Sequence, residues 1–204
     1  MSEFFLELFS EEIPATLQKS FREKILNDFK KFFDEKSIKS KKSFSLSSPN
    51  RVVLVFQGLE KKIQIKSEEI RGPKIDASEE ALQGFIRSNN IEIQNLYKKK
   101  TEKGVFYFYK TKSKSLKTHE LLIDLIPKIL RNYHWKKSMK WGEFDLNWGR
   151  PLKSILSIFD KKTINFDFYH LASSNSTFVD KDLEDKKKIF NDFKTWKFGP
   201  GVSC

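Results

Sequence analysis

The sequence predicts an α+β fold in which a mainly antiparallel sheet packs against three or four helices. Short apolar or alternating runs that are typical of strands occur throughout the chain, separated by links of hairpin length. Segments with a three- to four-residue apolar period, typical of helices, lie between groups of these runs. At 204 residues the chain is long enough to bury a core without metal ions or disulfide bonds.

The N-terminal stretch predicts a buried strand followed by a helix. Residues 4–9 form a short apolar run of strand length. Pro14 follows, and proline suits the first turn of a helix because the N–H groups of that turn have no intrahelical partner. Beyond it, apolar residues recur at helical steps and predict a helix that ends between residues 33 and 36: Leu17, Phe21, Ile25, Phe29, Phe32 and Phe33.

Three further strands follow this helix. Residues 44–47 alternate between apolar and polar side chains, and residues 63–65 alternate again. Residues 51–56 are rich in β-branched side chains and are apolar enough to predict a central strand. We therefore expect a sheet of at least three strands packed on the first helix.

The middle of the chain predicts a second helix and an exposed link. Asp76 or Ser78 can cap a helix whose apolar face includes residues 81–86 and which ends at residues 89–90. Residues 98–103 are basic and predict an exposed connection.

A strand and a third helix come next. Residues 105–109 are aromatic and predict a strand. The helical period returns over residues 116–133, where Pro127 is expected to kink the helix or to reset its start. Residues 135–148 then contain three tryptophans, a methionine and three lysines.

The C-terminal part predicts two strands and a weak helix. Residues 152–159 and 163–169 read as strands joined by a short turn. Residues 181–194 are highly charged with a weak helical face, and residues 196–204 show neither a period nor a turn pattern.

These patterns predict a domain organisation as well. We expect residues 3–175 to form one region, with a candidate subdomain break near residues 112–116. Residues 176–204 are expected to add a charged helix and a tail without recognisable structure.

The net charge of +12, from 39 basic and 27 acidic residues, has two interpretations. It favours a polyanionic partner such as nucleic acid or an anionic membrane surface. However, 33 of the basic residues are lysine and only six are arginine, as AT-rich codons would produce. Arginine is the side chain that planar phosphate and base recognition prefers, so the six arginines are more informative than the lysines.

Cysteine usage and the N-terminus indicate a cytoplasmic protein. The only cysteine is Cys204, so neither an internal disulfide nor a cysteine-based zinc site is expected. The N-terminus lacks the basic start and the apolar run of a signal peptide. The longest apolar run, residues 52–56, is far shorter than a membrane span, and we expect no membrane contact.

No motif predicts a self-contained active site. Glu11 and Glu12 form an acidic pair at a loop–helix junction, which suits either general acid–base or metal chemistry, or stabilisation of the helix dipole. The three histidines lack metal-ligand spacing, and no phosphate-binding glycine loop or nucleophile elbow is present. We therefore expect no catalytic residue and no metal ligand in this chain.

Basic and aromatic residues at turns are the candidates for RNA contact. An arginine next to a stiff proline or glycine turn suits phosphate recognition or, equally, an internal salt bridge. Lysines interleaved with tryptophans can bind bases and phosphates, or can pack as a core with lysine stems along it. The predicted contacts are Arg51, Arg71, Lys74, Lys140, Trp141 and Arg150.

Six segments of the sequence form an ordered set of motifs: residues 7–14, 48–52, 71–73, 81–87, 137–142 and 148–151. In this order they resemble the N-terminal part of the β subunit of bacterial heterotetrameric glycyl-tRNA synthetase. That family has an acidic turn E-x-G-T-E-E-L-P, a strand entry T-P-R-R-L, and then R-G-P, A-x-x-G-F-x-R, K-x-M-R-W-G and F-x-R-P. The resemblance covers about residues 3–175, the first third or less of a typical family member.

This chain departs from the family pattern at three places. Asn50 replaces the first arginine of the strand-entry motif, and Lys140 stands where the family usually has arginine, which removes a bidentate contact. Residues 174–178 lack the G-H-R-F element of the family, so no role is carried over to them. The segment from residue 196 resembles nothing in the family and suggests a truncation or a frameshift.

The resemblance implies a non-catalytic part of glycine–tRNA ligase. In that family the α subunit uses ATP and Mg²⁺ to form the adenylate, and the β subunit binds and positions tRNA(Gly) and completes an α2β2 assembly. It implies that this chain itself binds no cofactor. Its partners would be the α subunit and tRNA(Gly). The residues leave open a protein-interaction module, another basic RNA-binding domain, or a hydrolase based on Glu11 and Glu12.

Overall fold

The computed structural model describes residues 2–65, 67–111, 113–135, 137–179 and 186–199. Its helices and strands follow in this order: β1 (Glu3–Ser10), α1 (Ala15–Glu35), β2 (Lys42–Ser48), β3 (Arg51–Gln57), β4 (Lys62–Ile65), β5 (Glu69–Lys74), α2 (Glu79–Asn89), β6 (Leu96–Thr101), β7 (Gly104–Lys110), β8 (Lys114–Lys117), α3 (Thr118–Arg131), β9 (Met139–Lys140), β10 (Asn147–Trp148), β11 (Leu152–Phe159), β12 (Lys162–Thr163), β13 (Asp167–Phe168), β14 (Leu171–Ala172), β15 (Ser176–Phe178), β16 (Lys187–Ile189) and α4 (Phe193–Lys197). The predicted α+β class with mainly antiparallel strands is confirmed.

The chain forms two units, one of which is inserted into the other. The larger unit combines Met1–Ile63 with Lys117–Cys204, and the smaller unit is Gln64–Leu116. The expected break near residues 112–116 lies beside the second junction, but the first junction, after Ile63, was not expected. β4 and β8, in which the junctions lie, form a two-stranded sheet.

The larger unit is built on a five-stranded sheet with the order β12-β11-β1-β3-β2. β1 lies between β11 and β3 and is antiparallel to both, with Leu6 opposite Leu54 on one side and Ser157 on the other. Because its backbone is hydrogen-bonded along both edges, β1 can be buried from Phe4 to Ser10 without unpaired peptide groups. The predicted central strand, β3, is also an interior strand.

One face of this sheet packs against α1 and α3. Alternate side chains of β1 and β3 point to this face, as the two-residue period of a strand requires. They join the apolar faces of both helices in one core, which includes Phe4, Leu6, Leu8, Phe21, Ile25, Phe29, Leu54, Phe56, Leu122, Ile126, Leu130 and Trp148. Among the described residues, no helix is both long and apolar enough to cross a membrane.

The opposite face of the sheet is covered by the C-terminal segment. Its apolar side chains from the sheet are Phe5, Val53, Val55, Leu156 and Ile158. Phe190, Phe193 and Trp196 pack on them, and Trp196 is 1% exposed. The Phe193 and Trp196 rings stack at 5.6 Å between centroids, and both meet Phe5 edge-on.

This packing corrects the prediction for residues 181–194. Instead of a helix, residues 187–189 form β16, which pairs with β15 through Ser176 opposite Ile189. The short helix α4 begins only at Phe193, capped by the Asp192 side chain, so Trp196 belongs to a helix rather than to a structureless tail. Residues 180–185 and 200–204, with Cys204, lie outside the described residues.

The smaller unit contains a three-stranded antiparallel sheet with the order β5-β7-β6 and the helix α2. The predicted cap is confirmed, because Ser78 accepts a hydrogen bond from the Ala81 N–H and Asn90 ends the helix in the left-handed region. The prediction of a basic link at residues 98–103 was wrong. Most of it belongs to β6, which pairs with β7 along its whole length.

Two other predicted elements differ in detail. Pro127 lies inside α3, which continues through it from Thr118 to Arg131 and does not restart there. The proline side chain is buried. The expected strand at residues 163–169 is divided into β12 and β13, since Ile164 bonds back to Ser157 through its backbone N–H and breaks the run.

Trp196→Ala should destabilise the larger unit by about 3–5 kcal/mol, because a large buried ring is removed and a cavity remains. The free energy of unfolding in urea can be followed by the fluorescence of the remaining tryptophans, which all lie in this unit. Phe198→Ala is the control, since Phe198 is 75% exposed, and it should change stability by no more than about 0.5 kcal/mol. Equal stability of the two variants would contradict the described packing.

Candidate nucleic-acid interface

Arg51 is an internal residue whose partners lie on two other strands, β1 and β15. It is 4% exposed and forms a salt bridge with Glu7, which is fully buried. Arg51 and Glu7 occupy the same sheet face, because Arg51 lies opposite Phe9, two residues along β1. Its guanidinium also donates to the Thr177 hydroxyl at 3.2 Å and to the Phe178 carbonyl.

Glu7 is the acceptor at the centre of this network. The Thr177 hydroxyl donates to Oε1 at 2.6 Å, and the Trp196 indole N–H donates to Oε2. Burial raises the pKa of Glu7, while the Arg51 charge and the hydrogen bonds from Thr177 and Trp196 act in the opposite direction. We refer to Glu7, Arg51, Thr177 and Trp196 as the Glu7 network.

The prediction of Arg51 as an RNA contact therefore has no support from its position. Its guanidinium faces Glu7, Thr177 and Phe178 inside the fold, which is the salt-bridge alternative that the sequence left open. The signal for it was Glu7 itself, because a glutamate inside the apolar run 4–9 needs a buried cation nearby.

Arg71 and Lys74 converge on one exposed patch of the smaller unit. The Arg71 guanidinium lies 3.6 Å from the Phe106 ring centroid, and the Lys74 ammonium lies 5.9 Å from the same ring. Both side chains are exposed, while Phe106 is 6% exposed. The register places them together, since Lys74 is opposite Phe106 and Arg71 is opposite Phe108.

Lys99 and Tyr97 extend this patch, although the sequence analysis did not single them out. Lys99 lies 5.4 Å from the Phe108 ring, and the Tyr97 ring stacks on Phe108 at 6.2 Å. Glu69 accepts hydrogen bonds from both, and the one from Lys99 is the main cause that lowers the pKa of Glu69. The alternation of β6 would have indicated them, had residues 98–103 been read as a strand.

We call Arg71, Lys74, Tyr97, Lys99, Phe106 and Phe108 the basic–aromatic face. It combines three cations with three aromatic rings on one side of a sheet.

Lys140 and Trp141 lie together in the hairpin of β9 and β10. The Lys140 ammonium is 2.8 Å from the Asp145 carboxylate, and this exposed hydrogen bond is the main cause that raises the pKa of Lys140. The Trp141 indole donates to the Trp148 carbonyl at 2.9 Å, which leaves the ring half-buried. The Lys140 side chain is therefore exposed but already paired with a carboxylate, and part of the Trp141 ring is exposed to solvent.

Arg150 lies beside Glu11 and Glu12. These three residues and Pro14 line a shallow depression of about 400 Å³. Arg150 is half-buried, and its Nε is buried without a hydrogen-bond partner among the described atoms. Glu11 also faces Lys153 at 3.9 Å. In the described part of the chain, no three His, Cys, Asp or Glu residues come close enough together to hold a metal ion.

Fold and surface together define an α+β protein that carries a basic–aromatic sheet face on an inserted unit. The family model described as glycyl-tRNA synthetase beta subunit matches residues 4–197. The chain belongs to this family. The resemblance expected from the six motifs is thereby confirmed, and it extends past residue 175 to the end of α4.

Curated relatives agree with this assignment. The glycine–tRNA ligase beta subunits of Rickettsia bellii (strain OSU 85-389) and Rickettsia conorii are 39% and 38% identical over 197 residues, and that of Rickettsia felis is 39% identical over 199. Each alignment covers 97% of this chain and 30% of the relative. The chain therefore spans about a third of the length of these relatives.

Arg51→Ala should lower the free energy of unfolding of the larger unit by about 3–5 kcal/mol, because Glu7 is left buried without its cation. Urea unfolding followed by tryptophan fluorescence measures this change. Arg87→Ala, which removes an exposed arginine from α2, should have an effect within about 0.5 kcal/mol. The Glu7→Gln/Arg51→Met double variant should recover part of the loss. A single Arg51→Ala variant as stable as the Arg87→Ala variant would show that the pair is not needed.

Gly149→Ala should destabilise the turn that carries Arg150. An added Cβ would lie 2.4 Å from the Trp135 ring, so the ring or the backbone has to move, at roughly 1–3 kcal/mol. Gly84→Ala is the matched control, because nothing lies within 4 Å of its Cβ position and alanine favours the helix interior. Calorimetry should show lower stability for the first variant and equal or higher stability for the second. The reverse order would contradict the contact between Gly149 and Trp135.

Proposed function

We propose that this chain is the N-terminal part of a glycine–tRNA ligase β subunit. In this role it supports ATP-dependent attachment of glycine to tRNA(Gly) by binding the tRNA and by joining the α subunit. Support for the ligase role comes from the family match over residues 4–197. The predicted alternatives, an interaction module or an RNA-binding domain without a ligase role, are not favoured by this match.

The observation that carries the RNA-binding part of the proposal is the convergence of Arg71 and Lys74 on Phe106. A cationic side chain that lies over an aromatic ring is favoured in that position, because the interaction contributes roughly 0.5–1 kcal/mol at an exposed site. The outer side of the guanidinium still has donors for phosphate oxygens. Because Phe106 and Phe108 are buried beneath these cations, the face is suited to the phosphates of a nucleic-acid backbone.

Lys140, Trp141 and Arg150 remain predicted contacts of a second surface, on the larger unit. Lys140 contacts Asp145, so a phosphate has to compete with this carboxylate. Arg150 lies next to Glu11 and Glu12, which disfavour a polyanion at that point. These three residues are therefore secondary candidates, and Arg51 is withdrawn because its guanidinium is buried.

The proposed partner in catalysis is the α subunit of the same ligase. It would hold ATP, Mg²⁺ and glycine, as the resemblance implies, and this chain would bind none of them. The beta-subunit designation of the relatives supports a partner subunit.

Filter binding of tRNA(Gly) transcript to the chain at several salt concentrations tests the RNA contact. We expect the Arg71→Gln/Lys74→Gln variant to weaken binding and to reduce the log–log salt slope by about one to two. Each phosphate contact contributes roughly 0.7–0.9 to this slope.

Lys98→Gln/Lys100→Gln is the matched control. It also removes two positive charges from the smaller unit, but from the alternate positions of β6 rather than from the basic–aromatic face. If both double variants lower affinity and slope equally, binding depends on net charge alone and the basic–aromatic face is not the contact. Salt-independent binding would argue against phosphate contacts altogether.

A further inference from the structure

The larger unit contains a cavity of about 640 Å³ to which none of the roles above assigns a ligand. The loop between β9 and β10, residues 141–146, forms one wall with Trp141, Phe144 and Leu146. The start of β11 and the turn between β13 and β14 form another, and Phe178 and Lys187 complete the lining. The volume is in the range of small-molecule sites.

Two aromatic groups of this cavity are held in place but remain accessible. Phe144 is 46% exposed, and its ring is stacked on His170 at 3.8 Å with an angle of 13° between the planes. His170 is positioned by a 3.3 Å contact from its Nε2 to the Leu152 carbonyl. The hydrogen bond between Trp141 and the Trp148 carbonyl fixes the second aromatic group.

Two cations lie on the lining as well. Lys187 is exposed and its ammonium is 4.6 Å from the Phe178 ring centroid. Lys153 also lines the cavity and faces Glu11 at its edge, at 3.9 Å. Apart from these two lysines and His170, the lining residues are apolar or aromatic, so a planar ring and an anion are both accommodated.

We propose that this cavity binds a single nucleotide. Its base stacks on Phe144 and contacts Trp141, while its phosphate is held by Lys187, and Lys153 contributes where the phosphate competes with Glu11 for it. The nucleotide is either free in solution or an unpaired residue of the RNA, and only the second source rests on the proposed function. Stacking on a fixed ring selects for a planar base of any identity, and the lysines select for the phosphate.

Fluorescence of 2-aminopurine tests this proposal, since its emission is quenched on stacking. The 204-residue chain is titrated into 2-aminopurine riboside 5′-monophosphate, into the riboside without phosphate, and into a single-stranded ribotetranucleotide with one 2-aminopurine. We expect saturable quenching that Phe144→Ala weakens about tenfold. Phe198→Ala removes an exposed phenylalanine outside the lining and should leave the quenching unchanged.

Lysine variants test the phosphate contact without altering the core. Lys187→Gln should lower the affinity for the monophosphate about fivefold and leave the affinity for the riboside unchanged. Lys188→Gln removes the neighbouring exposed charge of β16, which is not part of the lining, and should change neither. Far-UV circular dichroism establishes that each variant is folded, and Phe144→Leu replaces Phe144→Ala if the latter is not.

The outcomes distinguish a free nucleotide from an unpaired RNA residue, and they distinguish this inference from the proposed RNA role. Quenching of the monophosphate alone supports a free nucleotide, and quenching of the tetranucleotide alone supports an unpaired RNA residue. Saturable quenching together with absent tRNA(Gly) binding leaves this inference standing while the proposed RNA role fails. Absence of quenching, or quenching unaffected by both the Phe144 and Lys187 variants, overturns the inference even if tRNA binds.

Discussion

A buried carboxylate, that of Glu7, is the constraint on which the larger unit depends. It lies in the middle of the central strand, where every neighbouring side chain is buried. An ion in this environment is several kcal/mol unfavourable unless its charge and lone pairs are satisfied. Its partners come from β3, β15 and α4, three segments separated by up to 189 residues in the chain. The C-terminal segment is therefore needed on the second face of the sheet to complete a polar network as well as an apolar core.

One wall of the cavity is hydrogen-bonded to the Glu7 network and another to the residue that follows β1. Arg51 donates to the backbone of Phe178, whose side chain lines the cavity. The opposite wall starts at Pro151, whose carbonyl accepts from the Glu11 N–H at 2.9 Å, just past the end of β1. Hydrogen bonds from Arg51 to β15 and from Glu11 to Pro151 thus link both walls to the main sheet. A site for a planar ligand benefits from such support, because stacking and charge contacts weaken quickly when the walls shift.

The sequence predicted the elements whose partners are close in the chain. β1, α1 and β3 were found because strand and helix periods are local properties of the chain. The role of Arg51 and the packing of Trp196 could not be read this way, since both depend on a glutamate far away in the sequence. β6 was missed for a different reason. Its two faces carry lysines whose ammonium groups lie over Tyr107 and Phe108, so composition alone indicated an exposed link. Of the candidate site, Arg71 and Lys74 were each predicted from the sequence, while their convergence on Phe106, the contribution of Lys99 and the cavity required the fold.

Three arginines next to similar turns illustrate why residue type did not determine function. Arg51 is buried against a carboxylate, Arg71 lies exposed over a ring, and Arg150 is half-buried beside two glutamates. The guanidinium is the same in each case, but the free-energy change on binding a phosphate differs among the three positions. Moving Arg51 to a phosphate would leave Glu7 unpaired, and a phosphate at Arg150 would lie near Glu11 and Glu12. Of the three, Arg71 can approach an external anion without leaving a buried carboxylate unpaired, and the carboxylate nearest to it along β5, that of Glu69, is already bonded to Tyr97 and Lys99. For this reason the high positive charge of the chain is a weaker guide to its RNA surface than the environment of a single arginine.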